Sequence, residues 1–270
     1  HNPAAMSRRI ALVLAYEGTA YAGFQLQTNA PSIQGEVEQA AERLTGVRPR
    51  LKGAGRTDAG VHAIGQVAAF DTESNLAIER FRLGLDHYLP EDIAVMAASE
   101  APLDFDPRRH AVARVYRYTL VASAVLPPVR RRYVHVAGRD LDLEGMAEAL
   151  AYLVGERDFA PFSGYVPEGK STVRRMLRAE VWRSTETEDE VYVELEANAF
   201  LPQQVRRIVA AVLQTGNGRM TSATFKALAD SDKRGAAAQV LPAKGLCLRH
   251  VKYRGFSPES HAAATDHQTH

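Results

Sequence analysis

One short segment of the sequence, Gly53–Ala63, has the composition of a reactive loop between two strand-like runs. Its three glycines allow backbone conformations that are closed to other residues and let a ligand approach the main chain. Asp58 lies at its centre. A free aspartic acid has a pKa of about 3.9, so such a carboxylate is ionised at neutral pH and can attack a substrate without an activating base. From the residues alone, the segment is either a structural glycine turn or a loop that carries a reactive carboxylate.

Two well-known glycine motifs do not fit this segment. After Gly53 and Gly55 the next glycine comes too late for a dinucleotide-binding fingerprint. Gly55 and Gly60 have the spacing of a phosphate-binding P-loop, but Val61 and His62 stand where that motif requires Lys and Ser or Thr. His62 has no second His or Cys at metal-ligand spacing, so we expect it to support the turn by a hydrogen bond and expect no metal site.

The charges are unevenly distributed, although the formal net charge is only +1. No acidic side chain occurs between Asp106 and Asp140, where eight arginines are found. These are Arg108, Arg109, Arg114, Arg117, Arg130, Arg131, Arg132 and Arg139. Such segregation suits a polyanionic partner, because neutralising phosphates releases counterions. The same pattern would also result from arginines that are simply solvated on strands and loops.

Composition sets further bounds. A chain of 270 residues can form one large domain or two modest ones, and 46% apolar with 24% charged residues is typical of a soluble globular protein. The apolar runs are too short to cross a bilayer, so we expect no membrane association. One cysteine cannot form an internal disulfide or a multi-cysteine zinc site, and a reducing cytoplasmic location fits best.

The pattern of apolar residues predicts an α+β protein. In the first part we expect strands at 9–16, 50–53, 66–70 and 92–99, and helices after Ser32 and at 76–85, which is the β-α-β-β-α-β order of a ferredoxin-like unit. In the second part we expect strands at 113–121, 172–183, 191–197 and 246–253, and helices at 143–154, 202–215 and after Thr221. We predict units at 8–106 and 107–256, with disordered tails at 1–7 and 257–270.

Several segments together resemble one enzyme family. Gly55–Ala63 resembles the signature of the TruA family, tRNA pseudouridine synthase I, and four other segments follow in that family's order over roughly 9–253. These are Tyr16–Gln25, Arg114–Tyr118, Asn198–Leu201 with Val205 and Arg206, and Gly245–Leu248. The resemblance implies two tandem ferredoxin-like units with adjoining antiparallel sheets and a central cleft. It also implies a homodimer that converts uridine to pseudouridine at positions 38, 39 and 40 of the tRNA anticodon stem-loop, without a cofactor.

The resemblance also implies roles for individual residues. Asp58 maps onto the family's nucleophile, Arg206 onto its ion-pair partner, and Tyr116 onto the tyrosine that stacks on the uracil and assists proton transfer. Arg56 matches the arginine that fills the space left by a flipped base, and Leu246 an apolar wall of the pocket. The arginines from Arg108 to Arg139, Arg114 and Arg130–Arg132 among them, are the candidates for contacts with tRNA phosphates.

The sequence departs from the family pattern at one place, and three other kinds of protein share some of its features. The family usually has an aromatic, a His or Lys, and a Met between Leu201 and Val205, where this chain has Pro202, Gln203 and Gln204. A non-catalytic RNA-binding module leaves an aspartate at the centre of a glycine turn unexplained. A zinc-dependent nucleobase deaminase needs more than one cysteine. A carboxylate-driven nucleoside glycosidase is chemically closest, because it cleaves the same bond.

Overall fold

The computed structural model describes residues 7–126, 128–187 and 189–259, so the predicted tails, 1–7 and 257–270, lie almost entirely outside the described residues. Within these ranges the chain forms ten strands and five α-helices, which confirms the predicted α+β class. No helix in the described ranges is long and apolar enough to span a membrane. The chain divides into two compact units: the first runs to Val112 and takes in the residues from Leu248 on, and the second is Ala113–Cys247. The boundary predicted from the sequence lay between residues 106 and 107, and the prediction placed the whole last strand in the second unit.

The first unit is built on four strands and two helices in the predicted order. They are β1 (Arg8–Tyr16), α1 (Ile33–Thr45), β2 (Lys52–Gly53), β3 (His62–Thr72), α2 (Ile78–Tyr88) and β4 (Ile93–Ala101). Strand β1 lies between β3 and β4 and is antiparallel to both, while β2 pairs with β3. The part of the last strand that belongs to this unit lies beside β3.

Helix α1 shows how local sequence sets these elements. The hydroxyl of Ser32 accepts a hydrogen bond from the Gly35 amide and so satisfies one unpaired donor of the first turn. Gly46 ends the helix in the left-handed conformation, with φ of 80°. Ile33 and Val37 lie on its buried face, as the spacing of apolar residues predicts.

The second unit pairs its strands in the order β5-β9-β8-β7. The strands are β5 (Ala111–Val121), β6 (His135–Val136), β7 (Gly155–Asp158), β8 (Val173–Arg183) and β9 (Glu190–Ala197). Its helices are α3 (Leu143–Ala151), α4 (Gln204–Gly216) and α5 (Ser222–Ala229), and β10 (Leu246–Tyr253) follows them. Strand β6 pairs in parallel with β5, whereas the pairs β5–β9, β8–β9 and β7–β8 are antiparallel.

The two faces of this sheet differ in character because side chains alternate along each strand. Val193 and Leu195 of β9 are fully buried, and they face the same side as Tyr118 of β5. Glu194 lies on the other side, where it pairs with Arg117 at 2.9 Å and with Arg178 at 2.6 Å. One face of the sheet is therefore apolar core, and the other carries an ion-pair network.

Some details differ from the prediction. Pro202 was expected at the first helical position of α4, but the helix begins at Gln204. Gln203 takes the left-handed conformation just before it, with φ of 60°, and it is the only non-glycine residue with positive φ in the described part of the chain. Strands β6 and β7 were not predicted, because two- and four-residue strands leave no apolar alternation to detect.

Candidate active site

Asp58 lies in the turn that joins β2 to β3. The turn leaves the sheet after the Ala54 amide donates to Val67 O at 2.7 Å, and it closes where the Val61 amide donates to Asp58 O at 3.1 Å. Gly60 has a φ of 79°, which a residue with a side chain adopts only under strain. The Asp58 side chain is half-buried. Asp58 is thus carried by a fixed turn and is partly exposed to solvent.

A buried polar network fixes the residues on either side of the turn. The Gln66 side chain is fully buried in β3, and its Nε2 donates to Gly55 O at 3.0 Å and to the Tyr16 hydroxyl at 3.3 Å. That hydroxyl in turn shares a 2.9 Å hydrogen bond with Thr57 Oγ1. The side chain of Thr57, the residue before Asp58, is therefore linked by hydrogen bonds to strands β1 and β3. Gln66 was not among the predicted site residues; the signal that could have pointed to it is a polar side chain at the start of the predicted apolar strand 66–70.

The segment after β1 supports the turn from another side. The Phe24 amide donates to Thr57 O at 3.1 Å. Gly23 has a φ of 96°, and a Cβ at this position would lie 2.7 Å from Thr57 O. The structure thus brings together two segments that the family resemblance singled out separately, Tyr16–Gln25 and Gly55–Ala63.

His62 acts as the expected hydrogen-bonding support. It is buried at the start of β3, and its Nδ1 accepts the Gly18 amide at 2.9 Å. Since Nδ1 is the acceptor in this bond, the proton of the neutral ring belongs on Nε2. Glu17 Oε1 lies 3.5 Å from the same nitrogen. In residues 7–126, 128–187 and 189–259 no three His, Cys, Asp or Glu side chains are arranged to hold a metal ion.

In the second unit, two further segments of the family pattern meet. Tyr116 of β5 is buried, and its ring packs edge-on against Phe200 with centroids 5.3 Å apart. Arg114 is also buried, and its Nη1 donates to Asn198 O at 2.7 Å. Both contacts join β5 to the segment before α4. Leu246 is buried at the start of β10.

Arg206 lies in the first turn of α4 and is half-buried. Its Nε donates to Leu241 O at 2.6 Å, which orients the guanidinium along one edge. The next residue, Arg207, donates through Nε and Nη2 to Gln203 Oε1 at 3.3 and 3.0 Å and through Nη1 to Ala237 O at 2.7 Å. Burial and the neighbouring Arg206 charge lower the pKa of Arg207.

Pro202, Gln203 and Gln204, where the chain departs from the family pattern, lie at the point where helix α4 begins. Gln204 is fully buried, and its Oε1 accepts the Leu201 amide at 2.7 Å. Its Nε2 is buried without a hydrogen-bond partner among the described residues. Gln203 supplies the acceptor for Arg207, as described above. The tripeptide therefore sets how α4 begins, directly ahead of Arg206.

The arginine-rich stretch is divided in the structure. Arg130 is engaged within its own unit, with Asp189 at 3.1 Å and Glu190 at 2.5 Å. Arg117 lies over the rings of Trp182 and Tyr192, at 5.2 and 4.9 Å from their centroids. The exposed members are Arg108, Arg109, Arg131, Arg132 and Arg139, and Arg56 in the other unit is exposed as well. The pairing of Arg130 could not be predicted, because its two acidic partners are 59 and 60 residues away in the sequence.

Comparison with known proteins agrees with these motifs. The model of a family described as "tRNA pseudouridine synthase" matches residues 12–108 and 149–254. Proteins named "tRNA pseudouridine synthase A" are similar over nearly the whole chain. One from Geotalea daltonii is 39% identical over 247 residues, covering 91% of this chain and 100% of the relative. One from Roseiflexus sp. is 42% identical over 264 residues, covering 96% and 94%.

A third relative, from Chloroflexus aurantiacus, is 44% identical over 248 residues and covers 91% of this chain and 89% of its own length. The two stretches that the family model matches include the Asp58 turn and α4, whereas β5 lies between them. The chain therefore belongs to the tRNA pseudouridine synthase family of isomerases.

Proposed function

We propose that this chain converts uridine to pseudouridine at positions 38, 39 and 40 of the tRNA anticodon stem-loop, with Asp58 as the nucleophile and with the target base flipped out of its stack. One observation carries the proposal: in a chain of this family, a half-buried carboxylate stands on a turn held rigid by a buried network through Gln66, Tyr16 and Thr57. The positions and the flipping rest on the family resemblance.

The chemistry needs a group such as Asp58. The N1–C1′ bond of uridine breaks, the uracil turns, and a C5–C1′ bond forms, while the proton on C5 is lost and N1 gains one. A carboxylate that attacks either C6 or C1′ splits this isomerisation into two easier steps. Holding the attacking atom in place lowers the barrier, because the geometry is set before the reaction. A turn fixed at both ends supplies that placement.

Arg206 is proposed as the counter-charge of Asp58, as the resemblance implies. A carboxylate that loses water on substrate binding becomes harder to ionise, and a neighbouring guanidinium offsets that effect. The bond from Arg206 Nε to Leu241 O holds one edge of the guanidinium, whose planar set of N–H donors matches the two oxygens of a carboxylate. Arg206 is thus suited to a forked contact.

The remaining site residues are proposed on the same basis. Tyr116 stacks on the uracil and assists removal of the C5 proton, with its ring fixed by Phe200. Arg56, which is exposed on the same turn as Asp58, fills the space left by the extruded base and so reduces the cost of unstacking. Leu246 forms an apolar wall.

The RNA-binding surface is proposed to include the exposed arginines of the basic stretch. We assign phosphate contacts to Arg131 and Arg132, which are exposed, and assign a smaller part to Arg114 and Arg130, which already bind groups of their own unit. The family resemblance leads us to propose further that the chain acts as a homodimer in the cytoplasm and that both units follow a ferredoxin-like plan.

The test uses an unmodified tRNA transcript. Wild type, Asp58→Asn and Asp104→Asn are incubated with it, and pseudouridine is mapped along the anticodon arm. Wild type and Asp104→Asn, which removes an exposed acid of the same unit, should modify positions 38 to 40. Asp58→Asn should be slower by at least about 10³-fold, because the nucleophile is gone. Equal circular dichroism spectra and melting temperatures confirm that the variants fold.

Two outcomes would overturn the proposal. Full activity of Asp58→Asn would exclude this carboxylate as the nucleophile. Release of free uracil, with a loss of RNA mass, would indicate a glycosidase, because isomerisation leaves the mass of the RNA unchanged. Modification at uridines outside the anticodon arm would remove the assigned positions while leaving the chemistry in place.

A further inference from the structure

The most exposed aromatic side chain of the second unit is Tyr165. It is 83% exposed, although its neighbours Ser163 and Val166 are buried. It stands in the loop between a short 3-10 turn, Ala160–Phe162, and strand β8. Tyrosine is enriched at binding surfaces because its ring is apolar and its hydroxyl can remain in water.

The backbone that carries Tyr165 is firmly anchored. The Gly164 amide donates to Pro202 O at 2.7 Å, and Arg234 Nη1 donates to Val166 O at 2.7 Å. A Cβ at Gly164 would lie 3.2 Å from Pro202 O and 3.1 Å from Gln203 Oε1, so the loop packs closely on the residues that begin α4. The ring is therefore presented by a fixed main chain, which lowers the entropy lost on binding.

The surroundings of the loop are mainly cationic. Arg207 and Arg234 bind only carbonyl and amide oxygens within the described residues, so neither charge is neutralised by a carboxylate there. Lys170, in the same loop as Tyr165, and Lys233, next to Arg234, are exposed. The same two loops contain three acids, Glu168, Asp230 and Asp232, but Asp230 is already bound to Arg157 at 2.6 Å, so these four cations stand against two acids outside that pair. An exposed ring among unneutralised guanidinium groups suits a nucleic acid, whose bases stack and whose phosphates attract the charges.

We propose that Tyr165 stacks on a nucleobase of the bound tRNA, while Arg207 and Arg234 lie toward its backbone. This rests on the proposed function for the identity of the RNA. The loop packs on Pro202 and Gln203, so two of the three residues that depart from the family pattern also position this contact. Stacking tolerates any base, because every base has a π face, and the contact contributes affinity more than sequence choice.

The test measures tRNA binding separately from turnover. Equilibrium dissociation constants are determined for unmodified tRNA in the Asp58→Asn background, where no product forms, with Tyr165 kept or changed to Ala, Leu or Phe. Tyr165→Ala and Tyr165→Leu should weaken binding roughly five- to 150-fold, and Tyr165→Phe should stay within about two-fold of the parent. The salt dependence should keep its slope, because no charge is removed.

Tyr88→Ala, which removes an exposed tyrosine of the other unit, is the control and should keep the parent affinity. Unchanged affinity of Tyr165→Ala, or a Leu variant as tight as the Phe variant, would overturn the stacking assignment. The two proposals can fail separately. If the wild type forms pseudouridine and Tyr165→Ala binds tRNA normally, only the stacking proposal is wrong. If the wild type forms no pseudouridine while the Tyr165 variants bind as expected, only the catalytic proposal is wrong.

Discussion

Gly23 lies so close to the carbonyl oxygen of Thr57, the residue before Asp58, that a Cβ at Gly23 would be 2.7 Å from that oxygen. Gly23 also has a φ of 96°. Gly23→Ala should therefore displace the Asp58 turn, because the backbone oxygen cannot move aside without moving the turn. We expect kcat to fall about 10²-fold, since small misplacements of a reacting group cost that much, and KM to change little. Steady-state kinetics on unmodified tRNA measure both.

Gly46→Ala is the matched control for this substitution. Gly46 has a similar φ of 80°, but nothing lies within 4 Å of an added Cβ, and it ends α1 rather than supporting the turn. The control should lose about 1 kcal/mol of stability and keep its kcat. Equal losses of kcat in the two variants would show that the Gly23–Thr57 contact does not position Asp58.

Gln66 links the turn to the sheet, and Gln66→Met should weaken that link while nearly keeping the side-chain volume. Gly55 O and the Tyr16 hydroxyl lose their donor. We expect the free energy of unfolding to fall by about 1–3 kcal/mol and kcat to fall more than KM rises. Urea unfolding and kinetics check the two effects. Gln27→Met, whose Nε2 makes one exposed bond to Ala22 O, should change neither, and an unaffected kcat in Gln66→Met would remove the positioning role.

Periodic elements of this protein could be predicted closely from its sequence. Helix α1 begins after Ser32 and ends before Gly46, as its capping residues indicate, and α5 begins after Thr221, another capping residue. Such boundaries depend on a few neighbouring residues, which a sequence displays directly. The order of elements in the first unit was correct for the same reason.

Contacts between distant residues could not be predicted in this way. The Arg130 pairing depends on a loop 59 residues later, and Arg130 therefore looked available for phosphate in the sequence. The left-handed Gln203 was also missed, because that conformation is rare for residues other than glycine and depends on the packing of Gly164 and Arg207 around it. For Asp58, motif and family gave the assignment, whereas its support by Gln66 came only from the fold.

Glu194 predicts a pH dependence of stability in the second unit. Burial raises its pKa, but hydrogen bonds from Arg178 and Arg117 outweigh that effect and hold the pKa below its ordinary value. A carboxyl group with a lowered folded-state pKa stabilises the fold above its unfolded pKa, about 4.3, and this stabilisation is lost as the pH falls below that value and through the lower folded-state pKa. Glu194→Gln should lose about 1–3 kcal/mol at pH 7 and show a shallower decline in acid.

Urea unfolding at pH 7 and at several values between about 5 and 3 measures this dependence. Glu156→Gln removes an exposed glutamate of β7 and should follow the wild-type curve. If Glu194→Gln declined in acid as steeply as the wild type, the stability below pH 5 would depend on other carboxylates, and the network with Arg117 and Arg178 would contribute little.

The divided arginine stretch makes a sharp prediction about RNA binding. The charge of Arg131 is exposed, whereas that of Arg130 is already balanced by Asp189 and Glu190. Each phosphate contact that is lost lowers the slope of log affinity against log salt by about 0.7–0.9, so Arg131→Gln should reduce the slope by about that amount. Arg130→Gln should leave the slope nearly unchanged but destabilise the fold, because two carboxylates lose their partner.

Binding titrations between about 50 and 200 mM salt, with thermal melts, separate the two effects. A larger slope change for Arg130→Gln than for Arg131→Gln would mean that tRNA displaces Asp189 and Glu190 from Arg130, and that the pairs seen in the structure open on binding.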